Sequence, residues 1–138
     1  MPKNELIELL QEEFDGLCRK ISPRDTPYRF PTVRSDFGFE HLEIIEDEYH
    51  LVVTERGLEL SRQITKSKDE VLYWMVSSLA WGLASKFELH NRIEGQDFRR
   101  LFFAKQVEYL GRVNKYWAEE KQKEFDEVLK KHPFNDSL

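Results

Sequence analysis

The stretch VLYWMVSSLAWGLASKFEL, Val71 to Leu89, decides the fold of this chain. Its apolar residues recur at three- and four-residue steps, and further apolar residues occupy other sides of a helical projection. The pattern predicts a central α-helix that is covered on more than one flank. Ser67 and Glu70 form a capping box directly before it, so the helix should begin there and end near Asn91. The main apolar stripe comprises Leu72, Met75, Val76, Leu79, Leu83 and Phe87.

Upstream of this helix, from Phe39 to Thr65, the apolar period changes to two and predicts a three-stranded antiparallel meander. Two-residue turns at Asp47–Glu48 and Arg56–Gly57 put the apolar residues on one face and leave the other face to solvent. Only Arg62 breaks the inner face, and it should lie at the rim or meet a carboxylate such as Glu40 or Glu55, because an unpaired buried charge is costly. The predicted pairs are Ile44 with Leu51, Leu42 with Val53, Val53 with Leu60 and Tyr49 with Ile64, and the predicted inner face is Leu42, Ile44, Tyr49, Leu51, Val53, Leu58, Leu60 and Ile64.

The predicted fold class is α+β, with a three- or four-stranded antiparallel meander packed on one face by a layer of α-helices. The length favours a single domain over residues 1–138. Its predicted parts are an N-terminal helix (1–20), a proline-rich loop (21–38) with room for an edge strand, the sheet (39–66) and a helical part (67–132). Beyond a cap at Asp97, the pattern fits one long helix or a helix pair with a kink near Gly111 or Trp117.

Charge and cysteine content restrict the class of protein. A net charge of -5 disfavours a nucleic-acid-binding protein and leaves room for a basic protein partner. Polar residues interrupt the central stretch, so no membrane span is expected, and the acidic N-terminus lacks the features of a signal peptide, which predicts a cytoplasmic protein. Cys18 is the sole cysteine, which excludes an internal disulfide and predicts a buried thiol.

Residues with catalytic potential form no known constellation. The four histidines have no metal-binding spacing, and Ser77 and Ser78 lack the context of a nucleophile. The glycines stand singly, without a phosphate-binding motif. Arg99 and Arg100 near a helix start can contact an anion, but surface residues with packed aliphatic stems are the simpler interpretation. We therefore expect no catalytic residues, no metal site and no cofactor, and the protein is not expected to be an enzyme.

One charged feature stands out from the composition, an acidic cluster on the predicted hairpins. Such a cluster can steer a basic partner into contact, and it is equally compatible with a solvated face that discourages aggregation. The cluster comprises Glu40, Glu43, Glu46, Asp47, Glu48, Glu55 and Glu59, accompanied only by Arg56. The residues predicted to contact a partner are Glu43, Asp47, Glu48, His50 and Glu59.

Several motifs together resemble the immunity protein 63 family of bacterial polymorphic toxin systems. They are YHLVVTERGLELSRQIT, the aromatic central helix, DFRRLFFAKQ and the terminal HPFND, and the resemblance covers about Phe39 to Asp136. It implies a small cytoplasmic protein that binds and neutralises a cognate toxin by stoichiometric protein–protein interaction. An acidic patch would suit a basic toxin such as a nuclease. The N-terminal helix and the proline-rich loop lie outside the resemblance.

Two other hypotheses remain open at the level of sequence. One is a small ligand-binding or enzymatic α+β domain, with a pocket between sheet and helices lined by Arg62, Glu55 and His90. The other is an adaptor or homo-oligomer in which exposed aromatic side chains of two copies bury one another.

Overall fold

The computed structural model describes residues 2–137 and has an α+β fold, as the sequence predicts. The helices and strands of the described part are α1 (Lys3–Ile21), β1 (Phe37–Ile45), β2 (Glu48–Glu55), β3 (Leu58–Thr65), α2 (Lys68–His90), α3 (Phe98–Gly111) and α4 (Lys115–Lys131). The strands form one antiparallel sheet in the order β1-β2-β3. Within residues 2–137, no helix has both the length and the apolar character needed to cross a membrane.

The described chain forms two compact units. The first unit contains the residues up to Arg19 together with Pro23–Met75, and therefore holds most of α1, the whole sheet and the start of α2. The second unit contains Lys20–Ser22 and the chain from Val76 onward, with the rest of α2, α3 and α4. That the whole chain acts as a single domain stays a prediction.

The core of the first unit combines side chains from its helices and its sheet. The N-terminal segment of α2 begins at the predicted cap, where the Ser67 hydroxyl accepts a hydrogen bond from Glu70 N at 3.1 Å. In α1, Gln11 binds the backbone of Phe30 through both its amide oxygen and its amide nitrogen, each at 2.8 Å. These bonds fix the proline-rich segment beside α1. The buried apolar residues of the unit include Leu10, Phe14, Cys18, Phe30, Leu42, Ile44, Leu51, Val71, Leu72 and Met75.

The first hairpin pairs its strands two residues away from the predicted register. Leu42 lies opposite Leu51 and Ile44 lies opposite Tyr49, because the turn residues are Glu46 and Asp47. Glu46 takes a φ of 57°, a left-handed conformation that closes the turn. The predicted pairs of this hairpin, Ile44 with Leu51 and Leu42 with Val53, were therefore wrong. A shift of two residues leaves every side chain on its original face, so the apolar pattern alone could not distinguish these two registers.

The second hairpin contains a β-bulge that the sequence prediction missed. Thr54 lies opposite Glu59, but Val53 lies opposite Ser61, so Leu60 is an extra residue in β3. Because of the bulge, all later residues of β3 lie on the other face of the sheet from the one predicted. Arg62 therefore pairs with Val52 across the strands, and not with Leu51 as predicted. Leu58, Leu60 and Ile64, predicted for the inner face, are exposed.

The middle of the sheet is buried on both faces, which corrects the expectation of one solvent-exposed face. Leu42 and Leu51 are buried on the predicted inner face. His41, His50 and Val52 lie on the other face and are buried as well. The sheet has three strands rather than four, although Leu42 N donates a hydrogen bond to Pro31 O at 2.8 Å along the β1 edge.

The second unit ends in a helix pair, the second of the two arrangements that the sequence left open. The chain leaves α3 after Gly111 and begins α4 at Lys115, where the Asn114 side chain caps the new helix by accepting from Tyr116 N at 2.9 Å. Phe103 of α3 stacks on Phe125 of α4, with ring centroids 4.0 Å apart. Aromatic stacking of this kind ties the two helices together.

Candidate interaction surface

One face of the sheet carries a connected group of charged and imidazole side chains, which we name the polar sheet cluster. It consists of His41, Glu43, His50, Glu59 and Arg62, contributed by all three strands. Glu43 lies opposite His50 on the neighbouring strand, and Val52 lies between His41 and Arg62. The bulge at Leu60 is what places Arg62 on this face. The cluster therefore depends on an irregularity of β3.

Arg62 is the centre of the cluster and binds two carboxylates. Its Nε and Nη2 atoms bind the two carboxylate oxygens of Glu59 at 3.1 and 2.7 Å, in a bidentate arrangement. Its Nη1 atom binds Glu43 Oε1 at 3.1 Å. The hydrogen bonds that Arg62 donates to Glu59, followed by the one that it donates to Glu43, raise the pKa of Arg62 above its ordinary value. Arg62 thus pairs with two of the seven acidic residues identified in the sequence and offsets one of their two negative charges.

The geometry determines the hydrogen-bonding roles of His50. Arg62 Nη1 lies 2.8 Å from His50 Nδ1, and a guanidinium group can only donate, so Nδ1 is the acceptor. The proton of the neutral ring then lies on Nε2, which is 3.5 Å from Glu48 Oε1. Among the described residues, Nε2 has no hydrogen-bond partner although it is buried.

His41 contributes to the cluster through Glu43. His41 Nε2 lies 2.7 Å from Glu43 Oε2 and donates a hydrogen bond to the carboxylate. This bond, together with the guanidinium of Arg62, holds the pKa of Glu43 below its usual range. Glu43 is therefore a charged acceptor held between two donors.

The structure brings together four of the five residues predicted to contact a partner. Glu43, His50 and Glu59 belong to the polar sheet cluster, and Glu48 lies beside His50. Asp47 lies apart from them in the β1–β2 turn, where it faces Lys66 at 3.6 Å and is largely exposed. Arg62 meets carboxylates, as the sequence predicts, but they are those of Glu43 and Glu59 rather than of Glu40 or Glu55, and sequence reasoning did not include Arg62 among the residues of the site.

The arginine pair at the start of α3 has a structural role. Arg99 binds the buried carboxylate of Asp97 at 2.8 Å and donates to backbone carbonyls of residues 132–133, each at 2.9 Å. Arg100 binds the Asp136 carboxylate at 2.9 Å. The Arg99 guanidinium and backbone N–H groups hold the pKa of Asp97 well below its usual range. Both arginines are therefore engaged with acidic residues of their own unit, where they hold the C-terminal segment.

The residues proposed for a ligand pocket have separate environments. Arg62 belongs to the polar sheet cluster, and His90 Nδ1 lies 2.8 Å from Lys86 O on its own helix. In the second unit, an open depression of about 570 Å³ is lined by the α2–α3 loop, the start of α3 and the C-terminal segment. Neither Arg62, Glu55 nor His90 lines it. Within residues 2–137, no group of three His, Cys, Asp or Glu side chains is arranged to hold a metal ion.

Comparison with models of known protein families assigns the chain to a family. The family model described as immunity protein 63 matches residues 46–127. The chain belongs to this family. The match to immunity protein 63 runs from the β1–β2 turn into α4 and includes the bulged β3 strand. It confirms the resemblance found in the sequence, and the family name indicates an immunity protein. Comparisons with curated proteins and with solved structures each found no match.

Proposed function

We propose that this protein neutralises a cognate bacterial toxin by binding it stoichiometrically, and that its acidic sheet faces a basic toxin domain. Membership of the immunity protein 63 family supports the class of function. The observation that carries the choice of surface is the uneven distribution of charge. The first unit contains sixteen acidic and nine basic side chains, whereas the second unit contains ten acidic and twelve basic ones. A cationic partner is therefore attracted to the unit that contains the sheet.

The acidic residues of the sheet fall into two groups, one that shapes the surface and one that attracts a cationic partner. Glu43 and Glu59 hold Arg62 and give the surface a defined shape. Asp47 faces the exposed Lys66, at 3.6 Å, and Glu48 faces His50, at 3.5 Å, so together with Glu46 they leave the β1–β2 turn with a net negative charge. We expect the turn to accelerate association and the partly exposed Glu43, Glu59 and Arg62 of the polar sheet cluster to supply directional contacts, with the buried His50 positioning Arg62.

Neutralisation by binding needs no catalytic group, so the proposal treats the protein as an inhibitor and not as an enzyme. Its partner would be a toxin domain with a basic surface, such as that of a nuclease. The protein would act in the cytoplasm of the producing cell, where it protects that cell from its own toxin and from that of its kin.

The double variant Asp47→Lys with Glu48→Lys tests the proposed surface. Its matched control is Glu119→Lys with Glu120→Lys, two exposed residues of α4 with the same change in net charge. Association with a candidate toxin domain, sought among the products of the neighbouring genes, is measured by surface plasmon resonance at two salt concentrations. We expect the association rate of the turn variant to fall by about tenfold or more at low salt, because electrostatic steering contributes on that scale.

The control separates local from overall charge. A small effect of the α4 variant, together with a large effect of the turn variant, supports the sheet as the binding surface. Equal effects of the two variants would show that only net charge matters. Unchanged association of the turn variant would remove this end of the sheet from the interface.

A further inference from the structure

The end of the sheet opposite the β1–β2 turn exposes four large apolar side chains, which we name the apolar sheet end. Phe37 and Phe39 of β1 are 78% and 66% exposed, and Leu58 and Leu60 of β3 are 67% and 57% exposed. Phe37 and Leu58 share the face of Glu55, whereas Phe39 precedes His41 by two residues and lies on the face of the polar sheet cluster. Exposed apolar side chains rimmed by polar residues often mark protein–protein contacts.

The strand register arranges this patch around an acidic group. Glu55 of β2 lies opposite Phe37 of β1 and also opposite Leu58 of β3, so these three residues form one row across the sheet. Directly paired residues point to the same face, so the Glu55 side chain leaves the sheet in one row with Phe37 and Leu58, and its carboxyl group lies over Gly38. Among residues 2–137, this carboxylate has no hydrogen-bond or ion-pair partner.

The backbone around the row is tightly specified. Asp36 and Arg56 take φ angles of 59° and 51°, and Arg56 N donates a hydrogen bond to Asp36 O at 3.0 Å. Arg34 Nε lies 2.6 Å from the Asp36 carboxylate and supports the same corner. Gly38 follows with a φ of 81°, a conformation that residues with a side chain rarely adopt.

Charge decides between two occupants of the apolar sheet end. A second copy of the chain would bring together two strongly acidic units and oppose Glu55 with its own counterpart, which is unfavourable. A partner with a cationic side chain between two apolar ones would form an ion pair with the Glu55 carboxylate and would bury Phe37 and Leu58 against its apolar side chains. We propose that the apolar sheet end is the main affinity contact with the toxin and takes a lysine or arginine flanked by apolar side chains. This inference rests on the proposed function.

The test is the double variant Phe37→Ser with Leu58→Ser. The control is Leu89→Ser with Ile93→Ser, two exposed apolar residues of the second unit. Binding to the candidate toxin domain found among the products of the neighbouring genes is measured by surface plasmon resonance, and thermal unfolding by circular dichroism checks the fold. We expect the sheet variant to bind at least about a hundredfold more weakly, chiefly through faster dissociation, and Glu55→Gln about tenfold more weakly. The control should bind like the wild type.

Each outcome separates this inference from the proposed function. If the wild-type protein binds and neutralises the toxin while the sheet variant does so equally well, the apolar sheet end is not the contact and the proposed function stands. If the wild-type protein does not bind the toxin, the proposed function fails and this inference fails with it. Should the sheet variant lose its fold, the milder Glu55→Gln variant decides, and its unchanged affinity would overturn the inference. A wild-type dimer in sedimentation velocity that the sheet variant converts to a monomer would identify a second copy as the occupant.

Discussion

Replacing Leu60 with alanine tests the β-bulge on which the polar sheet cluster depends. Leu60 in β3 is 57% exposed, whereas Leu51 in the adjacent strand β2 is 2% exposed. Truncating a buried leucine to alanine removes transfer free energy and leaves a cavity, which lowers the free energy of unfolding by about 2–5 kcal/mol. Truncating an exposed leucine changes it by about 0.5 kcal/mol or less. The same substitution should therefore have very different effects at the two positions.

Urea unfolding followed by circular dichroism at 222 nm measures this difference. With a slope of about 2 kcal/mol per molar urea, the midpoint of Leu51→Ala should fall by at least about 1 M, and that of Leu60→Ala by less than about 0.3 M. Similar losses at the two positions would mean that Leu60 packs in the core and that β3 has no bulge. Arg62 would then lie on the same face as Leu51, and the arrangement of Arg62 with Glu43 and Glu59 would be refuted.

Two further predictions concern titratable groups. Glu43 has a lowered pKa in the folded protein, because His41 and Arg62 stabilise its charged form. Its contribution to stability is present above the unfolded pKa of about 4.5 and is lost as the pH falls through the lower folded value. The melting temperature of Glu43→Gln should therefore lie below that of the wild type at pH 7, and the gap should close below pH 4.5; a constant gap would contradict this assignment. Burial raises the pKa of the Cys18 thiol to about 12, so the thiol should not react with Ellman's reagent at pH 8 until urea unfolds the protein. Rapid reaction of the folded protein would show that Cys18 is accessible.

Periodicity was sufficient for the larger features of the fold. The apolar run from Val71, preceded by Ser67 and Glu70, predicted the position and start of α2, since both signals are local in sequence. The alternation from Phe39 to Thr65 predicted three antiparallel strands for the same reason. The break between α3 and α4 was left open, although Asn114 is a strong capping residue and its position before Tyr116 was a local signal.

The details of the candidate site depended on features that periodicity does not contain. The β1–β2 register differs from the predicted one by two residues, a shift that leaves every side chain on its predicted face, so hydrophobic alternation cannot detect it. The extra residue Leu60 moves the later residues of β3 to the opposite face, so alternation assigns those residues to the wrong face. Arg62 was the residue that disagreed with the regular register. Its conflict with an apolar face marked the place where the strand is irregular. Local disagreement of this kind is often found at sites with a specific role.

We expect the two ends of the sheet to affect different rates of binding. The turn with Asp47 lies at one end of the β1–β2 hairpin, and the row of Phe37, Glu55 and Leu58 lies at the other. Charged rims mainly raise the association rate, whereas buried apolar anchors mainly slow dissociation. We therefore expect variants of the turn to change association and variants of the apolar sheet end to change dissociation.

Titration of the toxin's activity tests the central claim most directly. The candidate toxin domain found among the products of the neighbouring genes is held at a fixed concentration well above the dissociation constant, and its activity is measured while the purified protein is added. Our account predicts a linear fall to complete inhibition at a molar ratio of one to one, with a stable complex in size-exclusion chromatography. Full toxin activity in the presence of a large excess of the protein, with no complex formed, would contradict it.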